Sequence, residues 1–138
     1  MMLSLIHQLN GDQVRQLHAL FQNEWWTKGR SLEDVQTMLE HSNYVFGCCD
    51  NGSKKLVGFA RVLTDRVFKA FIFDVIVHPD FRGRGIGKLL MDAILEHPQF
   101  SRVKHIELYC RPEMIPYYQR WGFTDEIGDI RLMRRVIS

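Results

Sequence analysis

The stretch VHPDFRGRGIGKLLMDAIL, residues 77–95, limits the fold more than any other part of this chain. Gly83, Gly85 and Gly87 stand at every second position, a spacing hostile to the interior of a helix or a strand. Arg82, Arg84 and Lys88 add charge that a buried turn could not hold. The apolar run AFIFDVIV ends just before it, and Ile86, Leu89, Leu90, Ala93 and Ile94 follow at helical spacing. Strand, glycine turn and helix therefore come in that order, with the helix starting near Gly85 and stopping before Pro98.

A helix N-terminus offers unpaired N–H groups and the positive end of the helix dipole. Glycines let a bulky anion approach that backbone and permit positive φ. The stretch reads as a phosphate-binding turn; the competing reading is a solvated loop with incidental glycines. GRGIGK has neither the GxGxxG spacing of a dinucleotide fingerprint nor the GxxxxGK[ST] of a Walker loop.

The remaining composition narrows the classes. A chain of 138 residues with 46% hydrophobic and 25% charged residues suits one domain, 1–138. A formal net charge of +2 gives no bulk electrostatic reason to expect nucleic acid. No apolar run is long enough for a membrane span, and MMLSLIHQLNGDQ lacks the basic lead and apolar core of a secretory signal. Cys48, Cys49 and Cys110 form no disulfide framework and suit reduced, buried thiols, so a cytoplasmic location is expected. Ligand spacing for a metal is missing, and none is expected.

Along the chain, LSLIHQL reads as a first strand. Asn10 with Gln13 forms a capping-box pattern for a helix that fails around TKGR, and Ser31 caps a second. NYVFGCC, KKLVGFARVLT and AFIFDVIV form a meander, with Asn51-Gly52 at its first turn. VKHIELYC is another strand, a short helix runs from Pro112 to about Trp121, Gly122 ends it, and DIRLMRRVI closes the chain as a final strand.

Arg82–Gly87 is similar to the (Q/R)xxGx(G/A) signature of the GNAT superfamily of acetyl-CoA-dependent N-acetyltransferases. YYQRWGF, residues 117–123, resembles that family's FYxxxGF segment. The resemblance covers essentially the whole chain. It implies an α/β (α+β) single domain with a mixed, mostly antiparallel twisted sheet of about six to seven strands, flanked by about four helices, and a parallel strand pair splayed for the cofactor. It also implies acetyl-CoA as co-substrate. Backbone groups of Val75 and Val77 would pair with the pantetheine arm. The N–H groups of Arg82, Gly83, Arg84, Gly85, Ile86 and Gly87, with Lys88, would hold the diphosphate, and Val75 or Ile76 would supply the oxyanion donor.

Tyr118 matches the tyrosine that commonly protonates the departing thiolate in this family, the alternative being simple packing. Asp74 is the one charge in AFIFDVIV, where a strand covered on both faces should be apolar. Alternation puts it on the face of Ile72 and Ile76. It serves either as base or cation-holding group, or as a structural hydrogen-bonding partner. Phe71 stands where some members carry a glutamate base, and Arg111 where many carry an asparagine. In the loop NEWWTKGRS, Glu24 beside Trp25 and Trp26 suits a cationic amine, unless the rings only fasten the loop. Lys28 and Arg30 read as solvated charges. The expected acceptor is a small primary amine; the alternatives are a protein or peptide amine, or a non-catalytic acetyl-CoA-binding module. A homodimer is the default for a small enzyme.

Overall fold

Two side-chain caps set the N-terminal helices. In the computed structural model, which describes residues 2–137, the Gln13 N–H donates to Asn10 Oδ1 at 2.9 Å while the Asn10 N–H donates to Gln13 Oε1 at 3.0 Å. This reciprocal cap opens α1, Gly11–Gln22. The Ser31 hydroxyl accepts from the Asp34 N–H and opens α2, Leu32–His41. The first strand, β1, is Leu3–Ile6. The meander is β2 (Tyr44–Asp50), β3 (Leu56–Thr64) and β4 (Lys69–Val77). Then come α3 (Ile86–Leu95), β5 (His105–Glu107) and α4 (Ile115–Gln119).

The chain divides into two compact units, the first ending at Leu108 and the second beginning at Tyr109. The first holds one sheet in the order β1-β2-β3-β4-β5. Its pairs are antiparallel except β4 with β5, which is parallel. Leu17, Leu20 and Phe21 of α1 and Val35 of α2 bury one face of the sheet together with Leu56, Phe59 and Ile76. Helix α3 covers the opposite face. Neighbouring Gly58 and Phe59 point to opposite sides, and a Cβ on Gly58 would meet Ile86 Cγ2 at 2.5 Å. Only glycine there lets the first turn of α3 approach β3 so closely. Among the described residues no helix is long and apolar enough to cross a membrane.

In the second unit, Tyr117 and Tyr118 of α4 form an aromatic group with Trp121 and Phe123, which follow the helix. Gly122 ends this turn at φ +85°, as expected.

Four expectations change. The sheet has five strands among the described residues, below the six to seven expected. The expected final strand, DIRLMRRVI, joins no ladder, and Ile130, Leu132, Met133, Val136 and Ile137 are exposed. Alternation puts Ile130, Leu132 and Val136 on one face, but Arg134 interrupts it and Arg131 and Arg135 charge the other, so neither face is continuously apolar. Helix α1 stops at Gln22, well before TKGR. Gln22 Nε2 donates to the carbonyls of His18 and Arg30, the Gly29 N–H donates to Gln22 Oε1, and the Thr27 hydroxyl donates to the Phe21 carbonyl. Those side chains satisfy the groups a further helical turn would have used. Finally, Cys48 and Cys49 are buried, burial pushing the Cys48 thiol up to about 11 with Cys49 adding to it, but Cys110 is exposed.

Candidate active site

The site is built around an irregularity in β4. Phe59 pairs with Ile76 and Arg61 with Phe73, so two steps on β3 face three on β4. The extra residue makes a β-bulge, and Asp74 within it has φ +57°. Aspartate enters this left-handed region more readily than a β-branched residue can. The bulge also breaks the alternation. Ile72 pairs with Val62, on the α3 face, while Ile76 joins the cluster under α1 and α2. The expected shared face of Ile72, Asp74 and Ile76 therefore does not exist.

The Asp74 side chain is 5% exposed and sits between two guanidinium groups. Arg30 donates through Nη1 to Oδ2 at 2.8 Å and through Nη2 to Oδ1 at 3.1 Å. Arg61 donates through Nε to Oδ2 at 2.7 Å. Each arginine is also stacked, Arg30 at 4.7 Å over Phe21 and Arg61 at 4.8 Å over Phe73. Buried carboxylates need this kind of partnership. Neither arginine was a candidate from sequence, and Arg30 is not the solvated charge expected. Arg61 had a findable signal, as a charge in a buried strand beside the strand carrying Asp74. Arg30 had none, since loop position does not reveal a partner 44 residues away.

Beyond the bulge, β4 runs on without β5. Parallel pairing covers only Lys69, Ala70 and Phe71 against His105, Ile106 and Glu107. Ile72–Val77, including the candidate residues Val75, Ile76 and Val77, thus borders an edge that β5 does not fill.

The chain then leaves β4 through the turn Pro79–Phe81, where the His78 ring accepts the Asp80 N–H. Gly83 and Gly85 have φ +78° and +76°. Gly85 is the N-cap of α3 and supplies no side-chain cap, in contrast to Asn10 and Ser31. The first-turn N–H groups of Ile86, Gly87 and Lys88 consequently face an anion-accepting position with no built-in acceptor. No aspartate or glutamate lies between Phe81 and Lys88. The cations around the turn are each engaged. Arg84 lies 5.2 Å over Phe81, Lys88 donates to Asp92 at 2.6 Å, and Arg82 donates to Glu24 at 2.5 Å. The bond to Asp92 raises the Lys88 ammonium above its ordinary value.

Glu24, Trp25 and Trp26 lie in the turn after α1, the tryptophans 65% and 38% exposed, so neither ring extends the buried stripe of α1. A shallow cleft of about 520 Å³ between Leu3, Leu5 and α3 touches the turn only at Gly85 and Lys88. It reaches none of residues 74–77. In the second unit, burial first, then Tyr117 and Cys110, pushes the Tyr118 phenol up to about 12. It is therefore protonated at neutral pH, the state a proton donor needs.

Residues 11–123 match the family model described as the acetyltransferase (GNAT) family. The chain belongs to this family. Like its members it is an acetyl-CoA-dependent acyltransferase, on a mixed α/β GNAT fold. A relative from Porphyra purpurea, "Uncharacterized N-acetyltransferase ycf52", is 33% identical over 86% of this chain and 68% of its own length. The chloroplastic "Serotonin N-acetyltransferase 2" of Oryza sativa is 32% identical over 75% of this chain and 53% of its own. A crystal structure of a GNAT-family protein from Xanthomonas campestris superposes with a TM-score of 0.81 at 32% identity, covering 97% of this chain and 94% of the other.

Proposed function

We propose that this GNAT enzyme transfers an acetyl group from acetyl-CoA to the primary amine of a small molecule by direct attack in a ternary complex. The observation that carries the reading is the uncapped, glycine-led N-terminus of α3, set directly after a strand whose last residues β5 leaves unpaired. The amides from Arg82 to Gly87, with Lys88, hold the diphosphate of the coenzyme. The backbone of Val75 and Val77 receives its pantetheine arm as an added strand would be received.

An oxyanion donor at the N–H of Val75 or Ile76 stabilises the charge that develops as the amine nitrogen attacks the thioester carbon. When the carbon–sulfur bond breaks, its electron pair goes to sulfur, and Tyr118 Oη delivers a proton to the thiolate. The proton lost by the attacking nitrogen leaves through water, which returns a proton to the Tyr118 phenolate. Asp74 acts here as a positioning residue, because three guanidinium hydrogen bonds already occupy its carboxylate. It holds the bulge that orients Val75.

Support for a small amine comes from Glu24 and two exposed tryptophans in the loop after α1, a combination that attracts ammonium and aromatic groups. The serotonin acetyltransferase among the relatives acts, by its name, on such an amine. Free-thiol release from acetyl-CoA with 2-phenylethylamine, spermidine and a lysine peptide tests the reading. Turnover with the first two and not the peptide is expected. Turnover with the peptide alone overturns the acceptor class, and silence in all three with no thermal stabilisation by coenzyme A overturns the function.

A further inference from the structure

Glu24 and Arg82 come from separate parts of the first unit and were expected to serve different substrates. Glu24 begins the turn after α1, where its carbonyl accepts the N–H groups of Thr27 and Lys28 at 3.2 and 2.8 Å. Arg82 opens the glycine turn, yet its Nη2 donates to Glu24 Oε1 at 2.5 Å across 58 residues of sequence. Of the cations around that turn, Arg84 and Lys88 find partners within their own segment, at Phe81 and Asp92. Arg82 alone of these three reaches the acceptor loop. The pair is unequal, with the Glu24 side chain 20% exposed and the Arg82 side chain 56%. The carboxylate is the more enclosed partner and the guanidinium the more accessible one.

We infer that the Glu24–Arg82 pair is a latch between the acceptor loop and the diphosphate turn: coenzyme A opens it by drawing Arg82 onto its diphosphate, which leaves the Glu24 carboxylate beside Trp25 and Trp26 to receive the acceptor's ammonium group. The inference rests on the proposed function, since the turn must be the diphosphate site. A diphosphate offers Arg82 more charge and a bidentate acceptor, whereas a single carboxylate bond to a guanidinium that is 56% exposed holds it weakly. Once released, Glu24 is a largely enclosed anion in the same turn as Trp25 and Trp26, and an ammonium ion takes the place of the guanidinium there. Coenzyme and amine then strengthen each other's binding, reciprocally by linkage.

A double-mutant cycle read by calorimetry tests this, with coenzyme A titrated at low ionic strength into wild type, Glu24→Gln, Arg82→Ala and the double variant. Glu24→Gln is expected to tighten coenzyme A about twofold to fivefold by removing the competitor for Arg82. Arg82→Ala weakens it, and in that background Glu24→Gln has no further effect. Equal tightening in both backgrounds means that Glu24 acts only as a distant repelling charge, and no tightening means that the pair does not compete; either result overturns the latch while leaving the proposed function standing. A wild type that does not bind coenzyme A removes both. With 2-phenylethylamine as the probe, followed by tryptophan fluorescence, coenzyme A should raise amine affinity in wild type and not in Glu24→Gln. Equal amine affinity with and without coenzyme also overturns the latch.

Discussion

Arg30 and Asp74, 44 residues apart in sequence, meet in a two-pronged ion pair that fastens the α1–α2 loop to the bulge of β4. Arg61 completes the arrangement from β3. Removing the carboxylate leaves two guanidinium groups facing each other in a mostly buried space. Asp74→Ala should therefore cost about 3 kcal/mol, the lower end for breaking a buried pair, because the Arg30 side chain remains 31% exposed. Urea denaturation measures it.

The same pair separates positioning from base catalysis. Asp74→Asn keeps an oxygen acceptor and a residue tolerant of positive φ, so it should fold and turn over more slowly. Its pH–rate profile should keep the wild-type shape. A small alkylammonium has a pKa near about 10, so kcat/KM for the amine should rise with pH from 7 to 9 in both proteins. Loss of that rise in Asp74→Asn alone would make Asp74 the base.

How much of this was legible in the residues depended on range. The caps at Asn10 and Ser31 and the glycine turn are local patterns, readable within a few positions, and the structure forms them as expected. The face assigned to Asp74 was wrong because alternation presumes an unbroken strand, and the bulge adds a residue whose only trace is one charge in an apolar run. Arg30 could not be read at all, since its partner is chosen by how a loop folds back. The last strand failed for a different reason: strand-forming residues alone do not make a ladder when they present no continuous apolar face.

Tyr118 lends itself to a clean substitution. Tyr118→Phe keeps the ring among Tyr117, Trp121 and Phe123 while removing the proton. Turnover should fall at least about tenfold, within the range of one general acid, with the coenzyme A dissociation constant nearly unchanged. Because burial holds the wild-type phenol up at about 12, its ionisation should not limit the rate below pH 10. Stopped-flow or steady-state profiles with undiminished turnover in Tyr118→Phe would remove the assignment.

Stability should also carry a histidine signature. Burial, and secondarily His7, lowers the His97 imidazole below 6.5, and burial lowers His78 as well. Folding thus favours the neutral rings. Their contribution is complete above pH 6.5 and is lost as pH falls through that value toward the lower folded-state pKa. Thermal midpoints from pH 7.5 to 5 should decline, and His97→Asn should decline less steeply over the same window.

The most direct measurement is an amide NMR titration of the 15N-labelled protein with coenzyme A. Saturable shifts concentrated at Gly83–Lys88, extending to Val75–Val77, are expected if the open start of α3 holds the diphosphate. Saturation with those amides unmoved, and the shifts gathered elsewhere, would contradict it.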